Sequence, residues 1–148
     1  MTDDTRPYGD GDASFQAAGG YDGIKQLVDR FYDLMDARPD AQRIRRMHPR
    51  DLEVSRDKLT RFLCGWLGGP KLYSEKYGSI TIPGAHAHLP IRATERDAWL
   101  NCMQEAVSEQ PFADEFKIYL IEQLGVPAER IRILTEKVHK LNDPAPPS

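Results

Sequence analysis

Histidines, a tyrosine and a tryptophan are the side chains of this 148-residue sequence whose type and placement suggest chemistry. Three of its four histidines are His48, His86 and His88, and the last two form a His-x-His pair in the Pro- and Gly-rich stretch PKLYSEKYGSITIPGAHAHLPIRA, residues 70–93. In extended backbone such a pair turns both rings to one side, a geometry that suits Zn2+. No third ligand stands at a recognisable spacing, and the nearby carboxylates are scattered. Haem asks for different parts: one neutral imidazole, a wide apolar slot, cations or hydroxyls for the propionates, and donors facing the bound ligand. Each is on offer. Tyr32 and Trp99 each join an apolar body to a polar tip, which suits either core packing or donation into a pocket.

The elements that must position these residues read as helices. Apolar residues recur at helical spacing in five places, and no stretch alternates as a strand would. The first, roughly 21–37, carries Ile24, Leu27, Val28, Phe31 and Met35, with Pro39 just past its end. The second, roughly 51–67, carries Leu59, Phe62, Leu63, Trp66 and Leu67 and is stopped by Gly68-Gly69-Pro70. A third opens at Thr94 as N-cap, with Asp97 three positions on, carries Trp99, Cys102, Met103 and Ala106, and ends at Pro111. A fourth runs from about Ala113 to Leu124 over Phe116, Leu120 and Leu124. Gly125-Val126-Pro127 is expected to interrupt it before a fifth with Ile131, Leu134, Val138 and Leu141, as two helices or as one broken helix. Between the second and third helices lies the histidine-bearing stretch, expected as an ordered loop with at most a turn or two of helix. Loops of that length inside a compact domain are usually functional or disordered, and its aromatic and apolar content favours function.

Length bounds the chain to one domain able to bury its own core. Apolar residues at 40% interleaved with 29% charged ones fit a globular protein. A formal charge of −3 disfavours nucleic acid as a partner, and no apolar run is long enough to span a membrane. The basic cluster Arg43, Arg45 and Arg46 is expected as a solvated helix end, and Cys64 and Cys102 as buried, inert thiols. The N-terminus, acidic and Gly-rich, lacks the pattern of a signal peptide, so a cytoplasmic location is expected. Residues 1–18 are expected as a flexible extension, 19–141 as the domain, and 142–148 as a disordered tail.

Three runs, GGYDGIKQLVDRFYDLMD, HPRDLEVSRDKLTRFLCGWLGGPKLYSEKYG and HAHLPIRATERDAWLNCM, taken in order and spacing, resemble the second group of truncated haemoglobins over roughly Gly19 to Met103. The combination is specific, although no single run would be. The resemblance implies an all-α truncated globin, a two-over-two helical sandwich with a long proximal loop, holding haem b. It implies His86 as the proximal iron ligand, nine residues ahead of Glu95. Where the family has His-x-Pro-Phe, this chain has His88 and Leu89, which leaves His88 as a lesser candidate. On the distal side it implies Tyr32, His48, Ser55 and Trp99 around the bound ligand, with Leu59 one turn from Ser55 and Phe62 beyond it against the haem. A basic residue usually precedes the proximal histidine, and here that position is Ala85. The propionates are therefore expected to meet Lys58 first, with Tyr73, Lys71 and Arg92 as further candidates. The function so implied is reversible binding of O2, NO or CO for storage, transport or sensing. Its rival on the same scaffold is an enzyme turning O2 with NO into nitrate or reducing peroxide, and either redox cycle needs an external electron donor. A helical interaction module without haem stays open, as do monomer and homodimer.

Overall fold

The computed structural model describes residues 6–78 and 89–139, and all regular structure among them is helical. The elements are α1 (Ala13–Ala17), α2 (Gly20–Ala37), a 3-10 turn (Pro39–Ala41), α3 (Gln42–Arg46), α4 (Glu53–Trp66), α5 (Leu72–Tyr77), α6 (Ala93–Ser108) and α7 (Asp114–His139). His86, His88 and Ala85 lie outside the described residues.

Helix α2 forms where the apolar period demands. It buries Ile24, Leu27, Val28, Phe31, Tyr32, Leu34 and Met35 on one broad face. Arg38 leaves it with extended backbone (φ −76°, ψ 132°), as the residue ahead of a proline must. The face of α2 packs against both α4 and α6, and α6 packs against α7. Two helix pairs are thereby layered around one core in which Phe31, Leu63, Met103, Phe116 and Leu120 are almost fully enclosed.

Helix α4 stops in a Schellman turn. Gly68 is left-handed (φ 91°), its N–H donates to the Gly65 carbonyl at 3.0 Å, and the Gly69 N–H reaches the Cys64 carbonyl at 2.8 Å. The N-terminal segment seats on this turn. The Gly11 carbonyl stands 1.9 Å from where a Cβ on Gly68 would sit, and the Phe15 ring 2.5 Å from one on Gly69. The Phe15 N–H donates to the Leu67 carbonyl at 3.0 Å, and Tyr8 packs edge-on against Phe116 at 5.2 Å. Within the stretch 1–18, expected as a flexible extension, Ala13, Ser14 and Ala18 are buried.

Three expectations are corrected. The break at Gly125-Val126-Pro127 is absent: α7 runs on with Pro127 inside it. Proline there removes one backbone donor and crowds the preceding turn. However, Leu120, Leu124 and Ala128 continue one buried stripe through the position, so tertiary packing outweighs the local cost. The start of α6 also differs. Arg92 is the N-cap, and Glu95 rather than Asp97 closes the capping box, accepting the Arg92 N–H at 3.1 Å. Thr94 instead turns its hydroxyl to the Glu95 carboxylate. Of the basic cluster, Arg45 is not a solvated end. Its side chain is 15% exposed, pairs with Asp36 at 2.9 Å and donates to the Pro49 and Arg50 carbonyls.

Candidate haem site

A cavity of about 390 Å3 opens between α2, α3, α4, α6 and α7, a size within the ordinary range for small-molecule clefts. One part of its wall is made by Ile44, Met47, Leu59, Phe62 and Leu63, and another by Leu89, Ile91, Leu124, Pro127, Ala128 and Ile131. Polar residues line it at few points: Tyr32, His48, Ser55 and Trp99, then Lys58 and Tyr73, then Glu95 and Arg96. Of the residues singled out from sequence, Tyr32, His48, Ser55, Lys58, Leu59, Phe62, Tyr73 and Trp99 all line it. Arg92 does not line it. Its Nε is buried without a hydrogen-bond partner among the described residues. Lys71 stands exposed ahead of α5 and is no part of the wall either.

Phe31, fully buried, orders the donor side of the cavity. Its ring meets Tyr32 edge-on at 5.0 Å and Trp99 at 5.1 Å, so one residue of α2 fixes a neighbour on its own helix and a partner on α6. Neither the Tyr32 hydroxyl nor the Trp99 indole N–H has a hydrogen-bond partner among the described residues. Tyr32 is 5% exposed, and burial pushes its phenol well above the ordinary value of 10, with Arg56 pulling weakly the other way. At neutral pH it is therefore a donor. His48 packs edge-on to the Tyr32 ring at 5.7 Å, and its Nδ1 lies 2.8 Å from the Ile44 carbonyl. Since that carbonyl only accepts, Nδ1 carries the proton, and in the neutral ring Nε2 holds the lone pair.

On the rim, Asp57 ties α4 to α5. It accepts from Arg61 at 2.9 Å, Lys76 at 2.8 Å and the Tyr77 hydroxyl at 2.5 Å. Burial opposes its ionisation, but these three donors outweigh it and hold the carboxyl well below the usual range. Lys58 lies over the Tyr77 ring, its Nζ 5.3 Å from the centroid, and Tyr73 bridges Tyr77 and Phe62.

A family model of bacterial-like globins matches residues 13–131. The group 2 truncated hemoglobin YjbI of Bacillus subtilis (strain 168) is 33% identical over 113 residues, covering 76% of this chain and 83% of that protein. The chain belongs to the bacterial-like globins, in their group II truncated haemoglobin branch. The fold agrees. This globin superposes on the group II 2-on-2 hemoglobin of Agrobacterium tumefaciens with a TM-score of 0.78 at 32% identity, covering 88% and 98% of the two chains. Against the truncated oxygen-avid haemoglobin of Bacillus subtilis the TM-score is 0.72 at 32% identity, with 80% and 97% covered. The two layers, α2 with α4 and α6 with α7, are the two-over-two sandwich expected of a truncated globin.

Wall residues that sequence reasoning passed over include Met47, Glu95, Arg96 and Pro127. Glu95 and Arg96 stood inside the motif that carried the resemblance, yet nothing in their spacing distinguished a cavity wall from a helix cap. Pro127 signals only a helix break by its residue type, and its place in the wall depends on how α7 lies against α6.

Proposed function

We propose that this globin carries haem b on His86 and holds O2 or a similar diatomic ligand against a distal set of Tyr32, Trp99, His48 and Ser55. Haem supplies the iron that takes up such a ligand reversibly. The chain's part is to seat the group and to receive the ligand. The observation that carries the reading is a phenol and an indole, both without a hydrogen-bond partner among the described residues, in the wall of one largely apolar cavity.

The donor set fits the group. Leu59 and Phe62 offer apolar surface to a flat macrocycle, and Lys58 and Tyr73 offer a cation and a hydroxyl to its carboxylates. Arg92, with an unpartnered Nε, is a further candidate for a carboxylate. On haem iron O2 would be more polarised than CO, so the Tyr32 and Trp99 donors would favour O2. A hydrogen bond to a charged partner contributes on the order of 1.5 to 3 kcal/mol. Loss of one donor then speeds O2 release by about ten- to a hundredfold. The oxygen-avid description of the Bacillus subtilis relative supports the same reading. Oxygen transport or storage in the cytoplasm, with reduction by an external electron donor, is the role that follows.

Absorption spectra of the ferric, ferrous and CO-bound forms test it. In His86→Ala the intense near-ultraviolet band is expected to collapse or shift, while His88→Ala keeps it. The reverse pattern reassigns the axial ligand, and a preparation that takes up no tetrapyrrole ends the proposal.

A further inference from the structure

Arg56 belongs neither to the cavity wall nor to any residue set anticipated from sequence. Its guanidinium carbon lies 5.8 Å from the centroid of the Tyr32 ring, within cation–π range. It is held there by the helix that carries Tyr32. Nη1 donates to the Asp29 carbonyl at 2.8 Å and to the Asp29 carboxylate at 3.3 Å, and Nη2 donates to Asp33 at 2.9 Å. Asp29 and Asp33 flank Tyr32 along α2, so the fork brackets the ring it covers. Phe31 and His48 meet the same ring edge-on. Three neighbours from α2, α4 and the turn after α3 thus restrain the phenol, and only Arg56 brings a full positive charge to its face.

We propose that Arg56 is a positioning residue for the distal phenol: pinned by Asp29 and Asp33, it fixes the Tyr32 ring and strengthens its hydroxyl as a donor to the gaseous ligand. This rests on the ligand-holding role of Tyr32 proposed above. A cation over an aromatic face withdraws electron density toward itself, which makes the phenolic hydrogen more positive. Since Arg56 sits next to Ser55 on α4, it also couples the helix that forms the distal wall to the donor it faces. Lysine would keep a charge near the ring, but its ammonium cannot form the fork to two aspartates.

The test is a double-mutant cycle on O2 release, read beside two spectroscopic signals of the CO form. Arg56→Met is expected to speed O2 release about three- to fivefold, the size of an exposed to partly buried cation–π contact. In a Tyr32→Phe background the same change is expected to add nothing, because the hydroxyl it acts through is gone. The C–O stretching frequency should move in Arg56→Met and return part-way in Arg56→Lys. With 3-fluorotyrosine incorporated, the fluorine resonance that Tyr32→Phe removes should shift in Arg56→Met. An equal change in O2 release in both backgrounds, or an unmoved fluorine resonance, overturns the proposal. A Tyr32→Phe chain that releases O2 at the native rate sinks the ligand-holding role on its own account. The fluorine signal then still decides whether Arg56 restrains the ring.

Discussion

The two thiols show how far the core alone sets the chemistry of a residue. Cys102 is fully buried on α6, and burial pushes its thiol up to about 11; Cys64 on α4 is raised by the same cause. A thiol raised this far stays protonated at neutral pH, and the thiolate is the reactive form. At pH 8 the folded protein is expected to leave an aromatic disulfide reagent unreacted, while the denatured chain consumes two equivalents, one per cysteine. Rapid reaction in the native state would show that one sulfur reaches solvent. Burial of both thiols was legible in the sequence, since each stood on an apolar helical face. Arg56 was not legible. A lone arginine on an amphipathic helix has no pattern that separates a solvated cation from one laid over a partner's ring, because the partner sits on another helix.

At the scale of the element, α7 is the instructive case. Its apolar stripe was readable on either side of Gly125-Val126-Pro127, but the local cost of proline argued for a break that packing overrides. Beyond the proline, Thr135 is fully buried and donates its hydroxyl to the Ile91 carbonyl at 2.8 Å. That bond fastens the late turns of α7 to the residues just ahead of α6, and Ile91 also lines the cavity. Thr135→Val keeps the shape and removes the donor. It is expected to lower stability by about 1 to 2 kcal/mol through an unsatisfied carbonyl. Denaturant unfolding with an unchanged slope would read this out, and an unchanged midpoint would show that the bond contributes nothing. The main helices, α2, α4 and α6, were legible within a few residues because periodicity and stop signals agreed. The short α1, α3 and α5 were too brief to show a period, and only their contacts with the long helices define them.

Across the whole molecule, carboxylates clamp one helix to another. Glu129 on α7 accepts from Arg132 on its own helix at 2.6 Å and from Arg96 on α6 at 2.7 Å. These bonds, Arg132 foremost, lower its carboxyl from 4.5 to about 2. Because the folded state holds the proton less tightly than the unfolded chain, this contribution is complete above about pH 4.5. It drains away as the pH falls toward about 2. Glu129 is 41% exposed, so salt should weaken the effect. Thermal unfolding followed from pH 6 to pH 2 at low salt is expected to fall over that window. In Glu129→Gln the fall should be shallower. Equal slopes for the two proteins would exclude Glu129 as a source of the acid sensitivity.

The turn that closes α4 behaves as a socket for the leading residues. Position 68 is restricted twice, by its left-handed backbone and by the Gly11 carbonyl lodged against it, whereas at position 69 the three atoms nearest a Cβ all belong to the Phe15 ring. Tolerance at 69 is therefore dictated from a remote part of the sequence. A chain trimmed to begin past Phe15 would admit alanine at 69 and still refuse it at 68.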